Sequence, residues 1–199
     1  SIYEPIFQLL GPQPMAYDQL GIIQERMGNR SLNNAPRNTY QTLDKHWVAI
    51  STNSPSIVKR VLTLCGGEDV ANDPRFQTPA GRVEFINEVD GVVANWISQH
   101  NLNEVLEKFE EVEAAVGPVY NIAQIFEDPQ YIARNDIIDL NDEDLGKIKM
   151  TAGFPFMSET PPEIRHAGSS KGKHNEEIYC KELKLGVEDL DLLKEKGVI

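Results

Sequence analysis

A glycine- and lysine-rich segment near the C-terminal end of the chain has the composition of an anion-binding loop. It reads Gly168-Ser169-Ser170-Lys171-Gly172-Lys173-His174. Glycines let backbone amides approach an anion, a helix that follows adds the positive end of its dipole, and lysines add charge. The same composition also occurs in loops that only connect two elements. From these residues alone, anion binding and simple connection both remain open.

Two acidic clusters are the other groups whose residue types could do chemistry. One consists of Glu110, Glu111 and Glu113, and the other is the run Asn141-Asp142-Glu143-Asp144. Paired carboxylates act as acid and base only where burial separates their pKa values. Neighbouring acids in polar stretches are typically solvated. We therefore assign no catalytic residue in this chain.

Metal, redox and nucleotide motifs give no further candidates. The four histidines are isolated, without a His-x-x-x-His pair, and the two cysteines lie far apart: His46, His100, His166, His174, Cys65 and Cys180. We expect no metal site and two reduced, partly buried thiols. The sequence contains no Gly-x-Ser-x-Gly elbow, Walker loop or dinucleotide fingerprint. It identifies no residue that binds a cofactor.

Composition limits the class of protein and of partner. The chain has 199 residues, 40% of them hydrophobic, and a net charge of −12. This acidity argues against nucleic acid as a partner, because binding there depends on clustered Lys and Arg. The sequence has neither a membrane-spanning apolar run of about 20 residues nor a signal-peptide pattern, so we expect no membrane partner and a cytoplasmic location. Because it begins at Ser1 inside an apolar stretch, we expect it to be cut from a longer protein.

The elements that would position any site are predicted from periodicity and caps. A short N-terminal helix ends at Gly11-Pro12, and a Gly-, Pro- and Asn-rich segment follows. Residues 38–42 and 46–51 form a β-hairpin, and Ser54-Pro55 begins a helix that ends at Gly66-Gly67. Thr78-Pro79 begins the clearest helix, whose inward residues are spaced by three and four: Val83, Ile86, Val89, Val93, Trp96 and Ile97. A further helix covers residues 102–112.

The C-terminal part predicts two strands joined by an acidic turn, at 136–140 and 147–151, and two helices near 174–183 and 188–196. The whole pattern is α+β, with helices around a short antiparallel sheet. We divide it into residues 1–35 (a helix and a linker or active-site loop), 36–128 (a small α+β domain) and 129–199 (a C-terminal tail).

One stretch identifies the chain more specifically than any other. Gly117-Pro118-Val119-Tyr120-Asn121-Ile122-Ala123-Gln124-Ile125-Phe126-Glu127-Asp128-Pro129-Gln130, followed by Ala133-Arg134, reads as a strand entrance, a capped helix and a Pro-stopped turn. It closely resembles a signature of the class III CoA-transferases, which include carnitine dehydratase, formyl-CoA transferase and α-methylacyl-CoA racemase. Other segments resemble the family in the same order: residues 36–44, Asn72-Asp73-Pro74-Arg75-Phe76 with Gly81-Arg82, Gly146 to Met150, Thr160-Pro161, Gly172 to Asn175, and 193–199. The resemblance departs at Lys45, where the family usually has glycine.

The resemblance implies an activity and an organisation. Family members move CoA between an acyl-CoA and a carboxylic acid, through an anhydride and then a thioester on an aspartate that precedes the region matched here. They bind no cofactor tightly, with CoA and acyl-CoA as substrates. They are interlocked homodimers. Each chain has a large CoA-binding α/β domain and a smaller domain inserted into it, and the C-terminal tail returns to the large domain. The resemblance places Gly28-Asn29-Arg30 near the family's substrate-proximal loop, without the glycine run of the formyl-CoA branch.

Two alternatives remain at this point. An α-methylacyl-CoA racemase would use an Asp/His pair to exchange the proton on the α-carbon of the thioester. That pair would also precede this region. A non-catalytic acyl-CoA-binding module would bind without turnover. The sequence does not select the acceptor acid.

Overall fold

The computed structural model describes residues 1–199, which form two compact units, Ser1–Val119 and Tyr120–Ile199. Unit 1 contains six helices: α1 Tyr3–Gln8, α2 Gln13–Leu20, α3 Pro55–Ala71, α4 Pro79–Glu84, α5 Ile86–Ile97 and α6 Leu102–Glu111. Its three strands are β1 Arg37–Gln41, β2 Trp47–Ser51 and β3 Val116–Pro118. Unit 2 contains α7 Ile122–Glu127, α8 Pro129–Arg134, β4 Ile137–Asp142, β5 Gly146–Thr151, a π-helical segment Glu176–Glu182 and α9 Val187–Glu195. The predicted α+β class is confirmed.

The sheet of unit 1 is antiparallel with the order β1-β2-β3. Along β2, the side chains of Val48 and Ile50 are buried, and the side chains that alternate with them are exposed. This is the period-two pattern of a strand with one covered face. One core cluster packs this face against α3, α5 and α6 through residues such as Tyr40, Val61 and Phe109. A second cluster joins α3, α5 and the turn before α4.

The predicted helix starts are confirmed where a side chain caps them. The Ser54 hydroxyl accepts a hydrogen bond from the Ile57 amide at the start of α3, and the Thr78 hydroxyl accepts one from the Gly81 amide at the start of α4. Each cap is followed by a proline in the first turn, where its missing N–H leaves no hydrogen bond unmade.

Two helix predictions are wrong, and a third is confirmed in part. The linker after Gly11 contains a second helix, α2, because Pro14 lies in its first turn and does not interrupt it. The predicted helix end at Gly66-Gly67 coincides with a kink in α3, because Gly67 leaves the helical conformation (φ 81°); a second short helical stretch then continues to Ala71. The long helix after Thr78 is broken at Phe85 (φ −101°, ψ 35°), whose ring packs against the second core cluster and lies 5.2 Å from the Arg75 guanidinium.

Unit 2 is built on a hairpin and short helices. Strands β4 and β5 pair from Ile137 opposite Thr151 to Asp142 opposite Gly146, as predicted. The predicted division of the chain into 1–35, 36–128 and 129–199 cuts at other points than the two compact units do, and it stays a prediction. No helix in residues 1–199 combines the length and apolar character that crossing a membrane requires.

Core burial gives a prediction for alkaline pH. Burial raises the pKa of the Cys65 thiol to about 12, from 9.0 when it is exposed to water. Since the folded pKa is raised, the contribution of Cys65 to stability is complete below pH 9 and is lost as the pH rises towards 12. We expect the free energy of unfolding, measured with urea, to fall by about 1.4 kcal/mol per pH unit from this group. Cys65→Ala should remove that part of the slope between pH 9 and 10; an unchanged slope in this variant would contradict the assignment.

Candidate functional site

The loop Gly28-Asn29-Arg30 lies against the sheet and helix α5 of unit 1. Gly28 has a φ of 66°, a left-handed backbone conformation that glycine adopts without strain. The Asn29 side-chain amide donates to the Thr39 hydroxyl on β1 at 2.8 Å. Arg30 Nε donates to Asp90 Oδ2 on α5, also at 2.8 Å. Two side chains therefore attach the loop to two different elements.

Asp90 is the centre of this attachment. Its side chain is only 8% exposed, and its carboxylate accepts three hydrogen bonds from side chains that are 50 to 60 residues away in sequence. Tyr40 OH donates to Oδ1 at 2.8 Å, while Asn38 Nδ2 and Arg30 Nε donate to Oδ2 at 3.0 and 2.8 Å. Burial and the neighbouring carboxylate together raise the pKa of Tyr40, so this phenol remains a donor.

A cleft of about 410 Å³ opens beside the loop. Its lining comes from the loop, β1, β2 and α5: Arg30, Asn38, Thr39, Tyr40, Gln41, Trp47, Asn87, Asp90, Gly91 and Ala94. Trp47 is half exposed there, although it lies on a strand of the core sheet. The cleft thus combines one cation with its partner carboxylate, three amide side chains and two aromatic residues, a set that suits a small polar ligand.

Sequence analysis did not identify Asp90 as part of this site. A signal for it is present, because residues 86, 90, 93 and 97 follow helical spacing and so share the inward face of α5. A single acid among the apolar residues of an inward face must be hydrogen-bonded in the core.

A second cluster of buried polar groups surrounds Arg82, which is 1% exposed. Its three nitrogens donate to Ala35 O at 2.8 Å, Phe76 O at 2.9 Å and Asn34 Oδ1 at 3.0 Å. Burial lowers the pKa of this guanidinium from its usual value. These contacts connect the end of the segment before β1 to the turn before α4, so Arg82 has a structural role.

The motif of residues 36–44 also consists of structural contacts. The Thr42 hydroxyl donates to the carboxylate of Asp44 at 2.6 Å, and this bond lowers the pKa of Asp44. Asp44 in turn accepts a hydrogen bond from the Leu102 amide, which begins α6. Lys45 has a φ of 66°, in the left-handed region where a glycine would be unstrained.

The Gly117–Arg134 stretch is architectural, as its residues predicted. Gly117 and Pro118 belong to β3, and the Asn121 side chain and the Gln124 backbone form the cap of α7. The Asp128 carboxylate caps α8 by accepting hydrogen bonds from the Gln130 and Tyr131 amides.

The first acidic cluster does not line this cleft, and the second cluster and the Gly168–His174 loop belong to unit 2. Glu110, Glu111 and Glu113 are exposed on and after α6, and Asp142 accepts hydrogen bonds from the Asp144 and Leu145 amides in the turn between β4 and β5.

The Gly168–His174 loop is exposed throughout. Lys173 is paired with Glu143, and Glu176 and Glu177 lie in the first turn of the helical segment that follows. Carboxylates in that turn oppose an anion at the same position, so the contacts favour a connecting loop.

The profile of CoA-transferase family III matches residues 1–175. The chain belongs to this family. It is 36% identical to the succinyl-CoA–D-citramalate CoA-transferase of Chloroflexus aurantiacus, over 100% of this chain and 50% of that protein. It is 34% identical to the formyl-CoA:oxalate CoA-transferase of Streptomyces coelicolor, over 68% of this chain and 33% of that protein.

The fold agrees with this assignment. A crystal structure of a CaiB/BaiF family protein from Brucella suis matches with a TM-score of 0.66 and 22% identity, over 87% of this chain and 44% of that one. The chain therefore spans half of the length of the citramalate enzyme. It spans less than half of the formyl-CoA:oxalate enzyme and of the Brucella suis protein.

Proposed function

We propose that this chain is the C-terminal part of an enzyme that moves CoA between an acyl-CoA and a carboxylic acid. The observation that supports the proposal most directly is the similarity to the citramalate enzyme. It extends over the whole of this chain but over only half of that enzyme. Three aspartates are compatible with this proposal, because the carboxylates of Asp44, Asp90 and Asp128 are engaged in helix caps or in core hydrogen bonds. The nucleophile then belongs to an aspartate outside residues 1–199.

The proposed reaction proceeds through covalent intermediates on that aspartate. Its carboxylate attacks the thioester carbonyl of the acyl-CoA, which forms a mixed anhydride and releases CoA thiolate. The thiolate attacks the aspartyl carbonyl, which forms an aspartyl thioester and releases the first acid. The second acid attacks that thioester, which forms a new anhydride and releases the CoA thiolate again. The thiolate then attacks the carbonyl of the second acid, which forms the new acyl-CoA and frees the aspartate.

The similar transferases support dicarboxylic acids as substrates. Their names contain succinyl-CoA, D-citramalate, formyl-CoA and oxalate. Succinate, citramalate and oxalate each carry two carboxyl groups, and formate carries one. We propose the same class for this protein. CoA and acyl-CoA act as substrates, and no tightly bound cofactor is required. An interlocked homodimer and a cytoplasmic location remain predictions.

The proposal is tested with the full-length protein that contains this chain. It is mixed with succinyl-CoA and a panel of acids, and thioester exchange is followed by chromatography of the CoA esters. We expect a new CoA ester to form with at least one dicarboxylate, and no turnover from residues 1–199 alone. Deuterium uptake at the α-carbon of a 2-methylacyl-CoA without exchange would support a racemase instead. Binding without either reaction would support a CoA-binding module, and turnover by residues 1–199 alone would overturn the assignment of the nucleophile.

A further inference from the structure

Arg30 uses only one edge of its guanidinium within the chain. Nε donates to Asp90, while the two terminal nitrogens have no hydrogen-bond partner in the protein. The side chain is 31% exposed and lines the 410 Å³ cleft beside the loop. The edge formed by the two terminal nitrogens of a planar guanidinium can bind a carboxylate through two parallel hydrogen bonds.

The rest of the cleft is compatible with an anion at this point. Asp90 is the only carboxylate in its lining, and both of its oxygens already accept hydrogen bonds. The other polar side chains of the lining are uncharged: the amides of Asn38, Gln41 and Asn87, the hydroxyls of Thr39 and Tyr40, and the indole of Trp47. Arg30 is thus the single charged donor with free hydrogen-bonding capacity in the cleft.

The Arg30 guanidinium is also held in place before any ligand arrives. The Asp90 carboxylate fixes its Nε, and the Asn29–Thr39 hydrogen bond fixes the adjacent loop residue on β1. A group that is already oriented loses less conformational entropy when it binds, so more of the interaction energy contributes to affinity.

We infer that Arg30 binds the carboxylate of a dicarboxylate substrate that does not take part in CoA exchange. This inference rests on the proposed function. The reacting carboxylate must act as a nucleophile and becomes a neutral acyl group, and a two-point ion pair would weaken its attack. The second carboxylate stays charged throughout the reaction. A fixed guanidinium therefore fits the second carboxylate better and selects dicarboxylates over monocarboxylates.

The test compares acids of equal chain length in the full-length protein. Wild-type and Arg30→Gln enzymes are assayed for CoA transfer to succinate and to butyrate, and to glutarate and to valerate. We expect Arg30→Gln to raise KM for the dicarboxylates by about 10- to 100-fold, with a change below about threefold for the monocarboxylates. Arg30→Lys, which keeps the charge but not the fork, should lie between the two.

Arg37→Gln is the matched control, since it removes an exposed guanidinium on β1 that does not line the cleft. It should change the two classes of acid by the same factor. Thermal unfolding of each variant shows whether the fold is retained. Equal effects of Arg30→Gln on both classes, or a wild type that uses only monocarboxylates, would overturn the inference while the transferase function stands. A wild type that transfers CoA to no acid would overturn both.

Discussion

Replacing Arg82 with methionine is expected to lower the free energy of unfolding of unit 1 by about 4 kcal/mol. Methionine fills a similar elongated volume, but it cannot donate to Ala35 O, Phe76 O and Asn34 Oδ1. Each buried acceptor that is left without a partner costs about 1 to 3 kcal/mol. Urea unfolding followed by tryptophan fluorescence, with Trp96 packed against the first core cluster, measures the change.

Arg75→Met is the control for this substitution. Arg75 forms an ion pair with Asp73 at the surface and contacts the rings of Phe76 and Phe85, so its loss should have a small effect. If Arg82→Met prevents folding, Arg82→Lys provides a milder variant, because lysine keeps the charge but cannot reach three acceptors in different directions. Equal stabilities of the Arg75 and Arg82 variants would contradict the structural role of Arg82.

The neighbouring glycine has a steric role in the same cluster. A Cβ atom on Gly81 would overlap the carbonyl oxygen of Arg75. Only glycine, which has no Cβ atom, at position 81 therefore lets the turn before α4 approach the helix this closely. The spacing of the Asn72–Phe76 and Gly81-Arg82 segments, which contributed to the family resemblance, reflects this close packing and the buried guanidinium next to it.

Local patterns in the sequence were sufficient for most elements of the fold. The alternation in β2, the caps at Ser54 and Thr78 and the Asn121 cap of α7 involve residues within a few positions of one another. Such signals can be recognised without knowledge of the tertiary structure. The break at Phe85 could not, because it depends on how that ring packs against the second core cluster and on its contact with Arg75.

The candidate site was only partly predictable for the same reason. The family resemblance pointed to Gly28, Asn29 and Arg30, and the structure shows how these residues are attached to β1 and α5. Asp90 joins partners 50 and more residues away, and contacts of that separation leave no periodic pattern in the chain. The inward position of this acid indicates that it is hydrogen-bonded, but not to which side chains.

Replacing Asp90 with leucine tests whether one carboxylate holds the loop and the sheet together. Leucine is close in size but accepts no hydrogen bond, so the buried Tyr40 hydroxyl and the Asn38 amide would both lose their partner. We expect the free energy of unfolding to fall by about 3 kcal/mol. Tyr40→Phe removes one donor and should cost about 1 kcal/mol. Glu88→Leu, at an exposed position of the same helix, should change little.

The double variant distinguishes a direct contact from two independent effects. If the Tyr40 hydroxyl is stabilised by Asp90, then Tyr40→Phe in the Asp90→Leu background should cost at least about 1 kcal/mol less than it does alone. Additive losses would show that the hydrogen bond contributes little. Amide hydrogen exchange of residues 28–31 gives a second measurement, because the loop is attached through Arg30 to the same carboxylate. Exchange there should become faster in Asp90→Leu and stay unchanged in Tyr40→Phe, since only the first substitution removes the partner of Arg30.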